Sequence, residues 1–133
     1  MKRLALVCFL VCSMHAVANK PVEEIAVNFF TLAANEKRLD GRKIKITGWI
    51  KFIDAGADQS VRLFHSKSSL NLFRRDQSIL ILLPEQDYKA ASEYLNLKFV
   101  TVYATYSAAK SMGSFGELLD VKDIDIIATD IDG

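Results

Sequence analysis

The chain has 133 residues, half of them hydrophobic, with 17 Lys and Arg set against 16 Asp and Glu. That near-neutral balance argues against a nucleic-acid binder, which gains most of its affinity by neutralising phosphates. No Pro/Gly/Ser linker, repeat or low-complexity tract divides the sequence, so one domain is expected.

The first elements in chain order concern export. Residues 1–20 read MKRLALVCFLVCSMHAVANK: Lys2 and Arg3, an apolar run from Leu4 to Val11, then Ala16-Val17-Ala18. This is the three-part pattern of a secretory signal peptide, expected to be cleaved after Ala18 and leave a domain over 19–133. The apolar run falls well short of the roughly 20 residues a spanning helix needs. Both cysteines, Cys8 and Cys12, lie inside it, so the remaining domain is expected to rely on its apolar core without disulfides. Val7 and Val11 occupy the positions where a lipid-attachment cysteine needs a small neighbour. Loss of Lys2 and Arg3 leaves 15 basic residues against 16 acidic ones. The basic residues crowd positions 37 to 75, while Asp120, Asp123, Asp125, Asp130 and Asp132 make the end acidic.

Val22, Ile25, Ala26, Phe29, Leu32 and Ala33 recur at helical spacing behind Pro21, and Gly41 follows as a stop. A helix over about 21–38 is expected, with Glu23 and Glu24 in its first turn, Lys37 and Arg38 near its last, and Phe29 and Phe30 as packing residues. After Gly41 the period changes to two. Ile44, Ile46, Gly48, Ile50 and Phe52 share one face, and Lys43, Lys45, Thr47, Trp49 and Lys51 the other. DAGADQ breaks the run, SVRLFHS resumes it, and residues 67–77 read as a polar loop. SILILL predicts a buried strand stopped by Pro84, EQDYKAASEYLN a short helix ended by Asn96, and KFVTVYATYS an alternating strand with Val100, Val102 and Ala104 inward. The loop AAKSMGSFG then leads into ELLDVKDIDIIA, one strand or a pair of short ones.

Three strands, a helix and two strands is the connectivity of the five-stranded Greek-key barrel called the OB-fold. The sequence resembles small exported bacterial OB-fold domains in KIKITGWI, in FVTVYATY and in a G-x-L-x-D-V segment, here Gly116, Leu118, Asp120 and Val121, covering residues 42–127. The expected class is therefore mostly β with α: a five-stranded OB-type barrel with an N-terminal helix and a helix between strands three and four. Gly48 is expected to let the first strand bend so that it serves both halves of a closing sheet.

The residues allow little catalysis. His65 stands outside the signal segment without a cysteine partner, so the usual His/Cys zinc sets cannot form in one chain. Ser66, Ser68 and Ser69 near His65 resemble no nucleophile elbow. D-V-K-D-I-D lacks the glycine and final glutamate of a calcium loop. The loop SAAKSMGSFGE matches neither phosphate-binding fingerprint, although Met112 and Phe115 could form a contact patch there. No cofactor or metal is expected.

The resemblance implies a ligand across the outer surface of strands two and three, near Trp49, Lys51, Arg62, Phe64, His65, Arg74, Arg75, Tyr103 and Lys110. Rings beside cations can stack on bases or sugars or seat protein side chains. The alternative for Trp49 is plain packing under the first helix. The leading expectation is an exported, non-catalytic binding protein for a protein, peptide or glycan of the cell envelope. An exported metal-assisted hydrolase or nuclease is the first alternative, and single-stranded nucleic-acid binding the second.

Overall fold

The computed structural model describes residues 24–56, 58–109 and 115–128. The expected signal segment, Pro21 to Glu23, Lys110 and Met112 lie outside them. Strand β1 (Ile25–Val27) is followed by helices α1 (Phe29–Ala34) and α2 (Glu36–Leu39) and strands β2 (Lys43–Ala55) and β3 (Asp58–Phe64). Helix α3 (Lys67–Asn71), a 3-10 turn (Arg75–Gln77), strand β4 (Ser78–Ile81), helix α4 (Glu85–Leu95) and strands β5 (Phe99–Ser107) and β6 (Glu117–Ala128) complete the order. The fold is mostly β, with four helices among the described residues.

The start of the expected N-terminal helix is a strand. Ile25 and Val27 pair in parallel with Ile44 and Ile46, on the length of β2 that β3 leaves open. Two β-branched residues suit that pleated edge better than a helix turn. Asn28 then starts α1 by accepting a hydrogen bond from the Thr31 N–H at 2.7 Å. The helix breaks at Asn35, whose side-chain amide donates to the Thr31 carbonyl and whose backbone leaves helical geometry. Phe29 packs inward as expected, whereas Phe30 is 78% exposed.

Five strands close a ring of hydrogen bonds. β2 pairs with β3, β3 with β4, β4 with β6, β6 with β5, and β5 again with β2. All pairings in that ring are antiparallel except β4 with β6, where Leu80 and Ile81 run parallel to Glu117 and Leu118. β1 is a sixth strand added outside the expected five. β2 uses residues 43–49 against β5 and 49–55 against β3, so the handover falls at Gly48 and Trp49. A β-carbon on Gly48 would stand 2.6 Å from the Phe64 carbonyl oxygen, so only glycine admits this approach.

The core lies inside the ring. Ile44, Ile46, Ile50, Phe52, Val61, Leu63, Ile79, Ile81, Val100, Val102 and Leu118 are buried there, and Phe29, Leu32, Leu39 and Leu95 close it from the helices. Each such side chain contributes about 1.5–3 kcal/mol relative to exposure. The period-two faces read from β2 and β5 are those observed. Asn96 ends α4 as expected, and its side-chain oxygen accepts from the Phe52 N–H at 2.8 Å, tying helix to strand.

Candidate ligand-binding face

On the pleat, Trp49 and Lys51 of β2 stand opposite Phe64 and Arg62 of β3, which in turn face Ser78 and Leu80 of β4. These residues form the outer face of the sheet. Residues 67–77, expected to be a polar loop, cover part of that face with α3 and the 3-10 turn. Ser66 caps α3 by accepting from the Ser69 N–H at 3.0 Å, and buried Leu70 anchors it. Five residues are too few to display a helical period, which is why the helix is invisible in sequence.

α3 ends in a Schellman motif: the Phe73 N–H donates to the Leu70 carbonyl and the Arg74 N–H to the Ser69 carbonyl. Phe73 occupies the left-handed position with φ of 52°. Glycine or asparagine normally stands there, because a side chain costs roughly 1–2 kcal/mol in that conformation. The position projects the Phe73 ring onto the sheet, 6.0 Å from the Phe64 ring. Lys51 Nζ and the Arg75 guanidinium carbon lie 5.0 and 5.1 Å from its centroid. Beside this group Trp49 packs on Phe99 at 5.0 Å, with Lys67 Nζ 5.9 Å from the Trp49 ring. Arg74 pairs with Asp76 at 3.3 Å, and that hydrogen bond holds the Asp76 carboxyl below its ordinary range.

Of the residues expected from sequence, Trp49, Lys51 and Arg75 therefore meet in one cluster, with Arg74 on its margin. Arg62 and Phe64 belong to the same face but are 1% and 0% exposed, so they offer a ligand no surface in this conformation. Arg62 donates to Ser78 Oγ at 3.0 Å and acts as a support under the roof. His65 sits at the end of β3, its Nε2 3.2 Å from Gln77 Oε1 and its ring between Phe29 and Phe30. Ser69 donates to the same Gln77 oxygen and lies 2.7 Å from Ser66 Oγ. These serine hydroxyls hold the turn together. Phe73, Lys67 and Phe99 belong to the cluster beyond the residues expected from sequence. Phe99, on the outward face of an alternating strand, could have been paired with Trp49; Phe73 offered no periodic signal.

Tyr103 lies apart from the cluster, in a crevice of about 260 Å³ lined by Glu24, Lys43, Asp120 and Lys122. Burial, with Asp125 next to it, raises its phenol above the ordinary value. Asp120 has φ of 47° and stands where the β5 and β6 register shifts. Lys122 Nζ lies 3.3 Å from Glu24 Oε1 beside the same crevice; a hydrogen bond from Glu24's own backbone and then Lys122 lower the Glu24 pKa. Phe115 packs on Phe29 with 5.7 Å between centroids. Among the described residues no group of three or more His, Cys, Asp or Glu side chains could hold a metal ion, and no helix is long and apolar enough to cross a membrane.

No family model and no curated protein matches the chain. Among solved structures it is similar to the crystal structure of a "putative aspartyl-tRNA synthetase from Leishmania major Friedlin", with a TM-score of 0.52 and 13% identity. The likeness covers 84% of this chain and 22% of that one, and at this identity it concerns the fold alone.

Proposed function

We propose that the chain is an exported OB-fold binding module without catalytic activity, and that it holds an acidic segment of a protein or peptide on the cluster around Phe73. Two features favour the OB reading: a ring of five strands with its one parallel pairing between β4 and β6, and α4 between the third and fourth ring strands. Export is proposed from Lys2, Arg3, the apolar run and Ala16-Val17-Ala18. The mass of the chain recovered outside the cytoplasm checks it: cleavage after Ala18 is expected.

One observation carries the ligand class. Lys51 and Arg75 both approach the Phe73 ring, and Lys67 approaches Trp49, so a ligand meets cations set on rings that are themselves half-buried. Such cations suit carboxylates, and an aromatic platform beneath them limits their wandering. A flat glycan or a base would need a free ring face.

Single-stranded nucleic acid is the second reading, favoured by the structural likeness to a tRNA synthetase. The chain's near-neutral charge weighs against it. Trp49 is the one tryptophan, so its emission reports binding directly. Titration with an acidic peptide, a neutral glycan and a single-stranded oligonucleotide at low salt should change the emission with the peptide alone. A response confined to the oligonucleotide, weakening steeply with salt, would replace the proposal by the second reading.

A further inference from the structure

Phe73 pairs an unfavourable backbone with a well-contacted ring. The left-handed position at the end of α3 is where glycine costs nothing, yet a phenylalanine stands there. Its ring rests over Phe64 and has two cations within about 5 Å, from β2 and from the turn that follows. Ring and cations thus come together on the outer sheet face, where the roof has placed one of the chain's own aromatic groups. From this we infer that Phe73 is an intramolecular occupant of an aromatic subsite, and that the acidic segment bound there carries an aromatic side chain which takes Phe73's place between Lys51 and Arg75.

The inference rests on the proposed binding role and deepens it. Displacement is inexpensive for the roof. Buried Leu70 and the Ser66, Ser69 and Gln77 hydrogen bonds hold the five-residue helix ahead of Phe73, while Leu72 beside it is 67% exposed. When Phe73 leaves, the conformational cost of the left-handed residue is released, partly offsetting the lost ring contacts. A site filled by its own side chain binds a competitor with an affinity reduced by the fraction of time it is open.

Two acidic pentapeptides test this, one with a central phenylalanine and one with a central alanine. Phe73→Gly removes the occupant and suits the left-handed backbone; Phe73→Asn is a second variant that the position also tolerates. Loss of the ring loosens Lys51 and Arg75 for both peptides alike but opens the subsite to one, so in both variants the ratio of affinity for the phenylalanine peptide to that for the alanine peptide should rise about tenfold over the wild type. A ratio unchanged from the wild type in both variants would overturn the inference while leaving the binding role intact. Failure of all three proteins to bind either peptide would remove the binding role and the inference with it. Hydrogen exchange in the wild type gives an answer independent of the variants. The Arg74 N–H, bonded to the Ser69 carbonyl, should exchange faster with the phenylalanine peptide bound, and unchanged or greater protection contradicts displacement.

Discussion

The carbonyl oxygen of Phe64 lies 2.6 Å from the point a β-carbon on Gly48 would occupy, and the Leu63 side chain lies 2.9 Å from it. The contact falls where β2 passes from β5 to β3, so a close backbone approach coincides with the handover that closes the ring. The obstructing atom is backbone and cannot rotate away. Gly48→Ala should therefore destabilise by about 1–3 kcal/mol, the usual cost of overpacking. Urea unfolding measures it, and a loss below about 0.5 kcal/mol would show that the strand yields without strain.

Tyr106 gives the chain an alkaline limit. Its hydroxyl donates to the Phe115 carbonyl at 2.6 Å, and burial, followed by Glu36 and Asp40, pushes its pKa up to about 12. Below pH 10 the phenol is neutral in both folded and unfolded chains, so its stabilising contribution is fully present. Above pH 10 the unfolded chain ionises first, and stability falls progressively to about pH 12. Tyr106→Phe should be less stable near neutrality but show a flatter stability profile across that window. An unchanged slope in the variant would assign the alkaline loss to other groups.

Gly116 follows from the same tyrosine. With φ of 122°, its added β-carbon would stand 2.8 Å from the Tyr106 hydroxyl and 2.5 Å from the Ser107 carbonyl oxygen. This explains the glycine of the G-x-L-x-D-V segment: the backbone must pass under a buried ring before Leu118 enters the core. Gly116→Ala is expected to cost at least as much stability as Gly48→Ala, since it adds an unfavourable backbone conformation to the clash. Thermal melts of the two variants side by side test the order.

Arg62 is a support in this structure, so its replacements separate support from recognition. Arg62→Ala should lose about 2–4 kcal/mol through the cavity it leaves, whereas Arg62→Met, which keeps most of the volume, should lose less. Peptide binding by folded Arg62→Met should remain within about threefold of wild type. A large loss of affinity without loss of stability would place Arg62 in the ligand's path.

Much of the ring strands was readable because period-two alternation survives wherever one face is buried. Ile44 through Phe52 and Val100 through Ala104 face inward as their spacing predicts. What the sequence hid was decided by partners distant along the chain. Ile25 fits the helical period of Val22, Ala26 and Phe29 as well as a strand, and only the open edge of β2 selects the strand. The candidate face was half legible. Trp49, Lys51 and Arg75 are conspicuous on their own, but burial of Arg62 and Phe64 depends on a roof whose five-residue helix has no period to detect. Phe73, at the centre of the cluster, gains its place from a left-handed turn that favours a different residue type.

Recognition of the acidic segment turns on the two cations at the Phe73 ring, and the double variant Lys51→Glu, Arg75→Glu tests it most directly. The measurement is its affinity for an acidic peptide, read from Trp49 emission at low salt, beside Lys89→Glu on the exposed surface of α4 as the control. A loss of about a hundredfold or more is expected in the double variant, with wild-type affinity in the control and melting temperatures close to wild type for both. Wild-type affinity in the double variant would contradict it.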